Sequence, residues 1–240
     1  MKQILSLVFL FCALSVSAQL VATAPAADFG IISEDAGKAP LRIYVLNTDT
    51  VPQAILKVVP SCGCTAAEFQ KEPFAPGDSA WIDLLYDPYL RPGQIDKLVR
   101  VYPMKGNVLR IPVKGVVKAS EETIEQIFPT DGDLLRLTEK TFLTLRPLTE
   151  IQRSFYADAY NNNDFPVWVE IDNNNEALEW LVSPNPVPPY QKASIGLYLY
   201  PEKESHTDIN EYKVNLHTAL SPEDLKKSEP TELKIYHGTP

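Results

Sequence analysis

Ala80-Trp81-Ile82-Asp83-Leu84-Leu85-Tyr86 sets apolar side chains at every second position, and Ser194-Ile195-Gly196-Leu197-Tyr198-Leu199 does the same 113 residues later. Successive side chains of a β-strand point to opposite faces, so a period of two predicts a strand with one buried face. The match extends outward from this pair. Leu46-Asn47-Thr48-Asp49-Thr50-Val51-Pro52 lies over Tyr160-Asn161-Asn162-Asn163-Asp164-Phe165-Pro166 at a spacing of 114. Phe74-Ala75-Pro76 lies over Val187-Pro188-Pro189, Pro88 over Pro201 and Phe29 over Phe142 at a spacing of 113. A spacing held over several strands signals a repeated structural unit.

The inward set of the first unit is then Leu41, Ile43 and Val45 with Ile82, Leu84 and Tyr86. That of the second is Phe155, Ala157 and Ala159 with Ile195, Leu197 and Leu199. The Asn-rich corner after each first strand suits a turn, because Asn tolerates left-handed backbone angles and hydrogen-bonds nearby main chain. The Pro-rich segments 73–77 and 184–189 lack ladder donors and read as loops or edges. Short alternating runs between Pro, Gly and Asn predict an all-β fold of two tandem immunoglobulin-like antiparallel β-sandwich domains. The expected boundaries are 19–118 for the first domain, 119–132 for a linker and 133–220 for the second domain. Residues 221–240 are a charged tail or, through Leu233-Lys234-Ile235-Tyr236, a final strand. Ala119–Gln126 is polar enough for one helical turn, and Pro129-Thr130-Asp131-Gly132 reads as a turn.

The start of the chain reads as an export signal over residues 1–18. Lys2 supplies the positive charge, Ile4–Leu14 the apolar run, and Val16-Ser17-Ala18 the small residues of a cleavage site. The run is shorter than the roughly 20 residues that span a bilayer. A lipid anchor on Cys12 is disfavoured by the bulky Phe11 before it. Cleavage removes Lys2 and moves the formal net charge from −9 to −10. An acidic surface repels nucleic acid and anionic lipid, so neither is an expected partner.

Phe29-Gly30, Asn47-Thr48, Cys62-Gly63-Cys64-Thr65, Pro76-Gly77 and Tyr86-Asp87-Pro88 occur in that order. Over about residues 28–117 the chain resembles the bacterial domain-of-unknown-function family 1573. The second unit resembles a degenerate copy, with Glu176-Ala177-Leu178-Glu179 where the cysteine motif stood. The resemblance implies a sandwich of the ASH, MSP and PapD type in a protein exported by Gram-negative bacteria, to the periplasm or the cell surface. It implies no activity.

Cys62 and Cys64 are the only cysteines left after signal removal. Fully extended, their Cα atoms would sit about 6.6 Å apart on one face, beyond the roughly 5.5 Å a disulfide prefers. Gly63 has the backbone freedom to close that gap. Three readings stand: a local disulfide that fixes the turn, a thiol-redox pair, or a Cu(I) site on two thiolates. Zinc wants four ligands, and His206, His217 and His237 all lie in the second half.

Catalytic templates are missing from the sequence: no Gly-x-Ser-x-Gly, His-Glu-x-x-His or phosphate loop occurs. Asp83 and Asp87 alternate as solvent-face residues do. Asp131-Gly132-Asp133 and Asp172-Asn173-Asn174-Asn175 offer oxygen ligands without the spacing of a calcium loop. No enzyme activity, cofactor or resident metal is expected. The outward positions Trp81, Tyr156, Tyr160, Tyr198 and Tyr200 are more aromatic than solvent requires, and form the expected interaction face. The reading is a binding or scaffolding protein of the envelope, with another envelope protein or a glycan as partner.

Overall fold

The structure is a computed structural model that describes residues 20–144, 153–172, 176, 178–200 and 209–238. The signal read at residues 1–18 lies outside the described residues, as do Asn173–Asn175, Pro201 and His206.

Two sandwiches form. In the first, one sheet runs in the order β1 (Leu20–Ala22), β3 (Ala39–Asn47), β6 (Ser79–Tyr86), β5 (Thr65–Phe69). The facing sheet runs β2 (Ala27–Ser33), β8 (Leu109–Lys118), β7 (Gly93–Pro103), β4 (Ile55–Pro60). In the second, β9 (Thr130–Gly132), β10 (Leu135–Leu137), β12 (Arg153–Tyr160), β15 (Lys192–Leu199) and β14 (Leu178–Ser183) make one sheet. β11 (Thr141–Thr144), β17 (Thr231–Gly238), β16 (Ile209–Ala219) and β13 (Trp168–Asp172) make the other.

The order of elements repeats, with β3, β6 and β5 answered by β12, β15 and β14. The fold is mostly β, and among the described residues its pairing is antiparallel with one exception per sandwich. β2 pairs parallel to β8, and β11 pairs parallel to β17. The chain crosses from one sheet to the other between β1 and β2, so β2 meets the sandwich's last strand running the same way.

The period of two becomes burial. Val45, Ile82, Leu84 and Tyr86 are buried in the first core, with Leu41 and Ile43 packed against it. Ala157, Ala159, Ile195, Leu197 and Leu199 are buried in the second, with Phe155 packed against it. β17 adds Leu233 and Ile235 to that second core.

The corner after β3 is built by one side chain. Asn47 Nδ2 donates to the carbonyls of Val51 (3.0 Å) and Phe74 (3.2 Å), and Oδ1 accepts from Asp49 N (2.9 Å). After β12, Asn161 Nδ2 donates to Phe165 (2.7 Å) and Val187 (3.0 Å), and Oδ1 accepts from Asn163 N (2.9 Å). Isolated bridges Gln53–Phe74 and Val167–Val187 close both loops. Among the described residues, positive φ outside glycine occurs only at Leu90, Asp133 and Tyr190. The two Asn therefore serve as buried cross-links for loop carbonyls, not as left-handed turn residues. Main-chain groups buried in a loop need such partners.

Between the cores lies a small third cluster. α1 (Glu121–Ile127) starts where the Ser120 side chain accepts from Thr123 N, and Glu121 and Glu122 suit the positive end of the helix. Arg136 ties its far end by donating to the carbonyls of Phe128 (3.2 Å) and Pro129 (3.0 Å). Thr130–Gly132, read as a turn, pairs instead as β9 with β10, and Asp133 at φ 67 makes the reversal.

Tyr160 belongs to this junction, which corrects its place among the outward aromatics. It is 0% exposed, stacks on Phe128 with centroids 5.2 Å apart, and its hydroxyl accepts from Ala119 N at 2.9 Å. Burial pushes its pKa up to about 12. At the last residue of β12 the strand parity gives way to the neighbouring helix.

On the first sandwich's side, Glu34 is 7% exposed and accepts from Leu90 N (2.7 Å), Ser120 N (2.9 Å) and Thr123 Oγ1 (2.6 Å). Burial opposes its charge, but those donors outweigh burial and hold its pKa below the usual carboxylate range.

Candidate functional sites

The Cys62-Gly63-Cys64 turn carries the chain from β4 to β5, that is, from one sheet to the other. Ser61 anchors its start by donating N–H to Leu98 O (2.8 Å) and accepting Leu98 N–H on Oγ (3.0 Å). Cys64 O accepts Asp87 N–H at 2.8 Å at its end. Between these anchors the Cα atoms of Cys62 and Cys64 approach to 5.2 Å, and the two sulfurs are bonded to each other. Sulfurs joined in this way offer a metal no thiolate.

The two cysteines sit in different surroundings. Cys64 is 6% exposed and belongs to the first core, whereas Cys62 is half-buried against its edge. Buried Thr65 places Oγ1 3.6 Å from Cys62 Sγ and 3.9 Å from Cys64 Sγ. A ring this small restrains little of the unfolded chain. The chain-entropy relation gives about 1.6 kcal/mol for three residues, against about 3 for fifteen.

The other candidate surface lies on the outer face of the sheet containing β12, β15 and β14. Registers across it place Tyr156, Gly196 and Leu181 in one row, and Ser154, Tyr198 and Glu179 in the next. Asp158, Ser194 and Ser183 form the row on the other side. Tyr156 is 56% and Leu181 57% exposed, one on each side of Gly196.

Gly196 leaves room for the rings. A Cβ there would come within 3.2 Å of the Tyr198 hydroxyl and 3.4 Å of the Tyr156 ring. The two rings meet edge-on with centroids 6.2 Å apart. Hydrogen bonds from Ser154 and Tyr198 hold the Tyr156 hydroxyl below the usual tyrosine pKa. Tyr200 donates to Glu179 at 2.8 Å, beside the row.

Leu181 was not among the expected face residues. Its signal was the alternation Leu178-Glu179-Trp180-Leu181-Val182-Ser183, which puts a leucine on the solvent side. Among the described residues, β14 stands at the end of its sheet.

Trp81 is separated from this face, being on β6 of the first sandwich. It is half-buried, with the Arg42 guanidinium 5.0 Å above its ring. Arg42 also makes a two-pronged pair with Asp83, both contacts at 2.6 Å, which lowers the Asp83 pKa. Asp87 lies 3.7 Å from Lys38. Asp83 on β6 and Asp87 just past its end are thus each engaged by a cation. His217 faces Ser228, with Nδ1 3.2 Å from its hydroxyl. Among the described residues no cluster of three His, Cys, Asp or Glu can hold a metal, and no helix is long and apolar enough to cross a membrane.

No curated protein matches the sequence. Among solved structures, the chain is similar to a protein of unknown function from Porphyromonas gingivalis W83. That match has 13% identity, covers 91% of this chain and 99% of that one, and has a TM-score of 0.37. It is also similar to the Salmonella enterica SafA pilin–SafB chaperone complex, at 9% identity, 92% and 96% coverage and TM-score 0.34. The E. coli chaperone DraB matches at 8% identity, 90% and 97% coverage and TM-score 0.33. At these scores the neighbours carry no functional argument. The sequence match is more definite, because residues 20–117, which hold the first core and its Cys62-Gly63-Cys64-Thr65 turn, fit the family model described as protein of unknown function (DUF1573). Over residues 20–117, therefore, the chain is similar to the DUF1573 family of proteins of unknown function.

Proposed function

We propose that this chain is an exported, non-enzymatic binding or scaffolding protein of the bacterial envelope, and that it takes a protein partner on the outer face of its second sandwich. One observation carries the reading. The row Tyr156–Gly196–Leu181 presents exposed apolar side chains where its counterpart in the first sandwich, Arg42–Asp83–Glu68, presents charges, two of them paired. Aromatic and aliphatic groups held rigidly on a sheet, rimmed by Ser154, Ser183, Ser194 and Glu179, have the composition of an interface centre with a polar rim.

The adjoining edge strand β14 favours a protein over a glycan. A partner strand can add to it through main-chain hydrogen bonds while its side chains contact Leu181 and Tyr156. Export rests on the apolar run Ile4–Leu14 followed by Val16-Ser17-Ala18.

The test is a native pull-down from envelope extract with the wild type and with Tyr156→Ser/Leu181→Ser, both checked for folding by circular dichroism. A protein held by the wild type and lost by the variant supports the reading. Equal capture by both, no capture by either, or retention of polysaccharide alone contradicts it.

A further inference from the structure

We propose that Cys62–Cys64 is a thiol–disulfide exchange site that engages a thiol partner through Cys62, with Cys64 as the buried leaving and resolving sulfur. The inference is independent of the second-domain face. It stands on the unequal placement of the two sulfurs and on a comparison inside the chain.

Exchange proceeds by attack of a thiolate in line with the S–S bond, and which sulfur is attacked depends on access. Cys64 is 6% exposed and lies in the core, so an approach to its sulfur runs through packed side chains. Cys62 packs against that core and is only half-buried, so of the two residues it is the one that reaches solvent. Attack there expels the Cys64 sulfur toward the first core. The Thr65 hydroxyl, 3.9 Å from Cys64 Sγ and 3.6 Å from Cys62 Sγ, is within reach of either sulfur.

The second sandwich shows that the crossover does not require the bond. β13 and β14 lie in different sheets of that sandwich, and no cysteine stands between them in the sequence. A change of sheet in this architecture therefore does not by itself call for a disulfide.

The chemistry balances with thiols as the only co-reactant. A thiolate attacks Cys62 Sγ, forming a mixed disulfide as the Cys62–Cys64 bond breaks and its electron pair leaves on Cys64 Sγ. A second thiolate attacks the partner's sulfur in the mixed disulfide and releases Cys62 as a thiolate. Two thiols are oxidised to a disulfide, and the cysteine pair takes up the two electrons. Run in reverse, the reduced pair attacks a partner disulfide through Cys62, and Cys64 resolves the mixed disulfide.

The experiment uses the purified mature chain, with glutathione as the probe thiol. The wild-type disulfide should be reduced by glutathione and reformed by oxidised glutathione under native conditions, with an unchanged circular dichroism spectrum. Cys64→Ser, which keeps the accessible sulfur, should form a mixed disulfide at least about tenfold faster than Cys62→Ser, following exposure. Resistance of the wild-type bond until denaturant is added would overturn the proposal, as would equal rates for the two variants. If either variant fails to fold, the reduced wild type is labelled with limiting iodoacetamide and the sites read by mass spectrometry. Preferential labelling of Cys62 supports the assignment, and equal or preferential labelling of Cys64 overturns it.

Discussion

The two sandwiches share strand order and corner and differ in what they expose. β3, β6 and β5 in the first answer to β12, β15 and β14 in the second, and both corners hang on a buried Asn. At matching positions the first sheet shows Arg42 paired with Asp83, and the second shows Tyr156 and Leu181 to solvent. At the matching crossover the first has a disulfide and the second has no cysteine. Inward positions are held by packing, where a change of one methylene is felt. Outward positions and crossovers escape that constraint, and there two sandwiches of similar strand order can differ.

The largest expected effect tests the shared corner. Asn47→Ala and Asn161→Ala each strip a buried loop of its side-chain partners, and each should cost about 3 kcal/mol of stability by denaturant titration. Similar losses mean one device serves both sandwiches. A large loss from one and none from the other would break the equivalence.

Next is the junction, which has no duplicate. Glu34→Gln replaces an acceptor of three hydrogen bonds by an amide that can satisfy fewer, and should cost about 2 kcal/mol. The sign with pH follows from the lowered pKa of Glu34. Its contribution is fully present above the ordinary carboxylate value near 4.3, and is lost as pH falls through the lower folded value. The difference between wild type and Glu34→Gln should therefore shrink on acidification below about pH 4. A difference that stays constant would remove the carboxylate's charge from the account.

Smaller still is the disulfide. Cys62→Ser/Cys64→Ser should cost about 1.6 kcal/mol, and the second sandwich's resistance to unfolding should not change. A loss of several kcal/mol would make the bond a structural staple. The smallest effect belongs to the exposed row. Leu181→Ser should change stability by no more than about 0.5 kcal/mol, so a marked loss would mean that Leu181 is packed and not presented.

Much of this comparison was readable from the chain. Ile82, Leu84 and Tyr86 against Ile195, Leu197 and Leu199 announced two buried faces, because strand periodicity is local and burial follows it. The Asn corners were visible as turns, but their role was not, since Asn47 and Asn161 work by reaching carbonyls 27 and 26 residues away. The parallel pairing of β2 with β8 and of β11 with β17 depends on which sheet each strand joins, a tertiary choice no window of sequence contains.

Tyr160 departs from the alternation for a related reason. Parity assigns faces inside a strand, and Tyr160 is the strand's last residue, where Phe128 and Ala119 of another segment decide its burial. Glu34, in Ser33-Glu34-Asp35, looks like any solvated acidic turn until Leu90, Ser120 and Thr123 converge on it.

The central claim is that two separate cores, built alike, stand on either side of the Tyr160 junction. Amide hydrogen exchange by mass spectrometry on Asn47→Ala and Asn161→Ala measures this directly. Asn47→Ala should speed exchange in β3, β6, β7 and β8 and leave β12, β15, β16 and β17 protected, and Asn161→Ala should do the reverse. Loosening of both sandwiches together by either substitution would contradict the account.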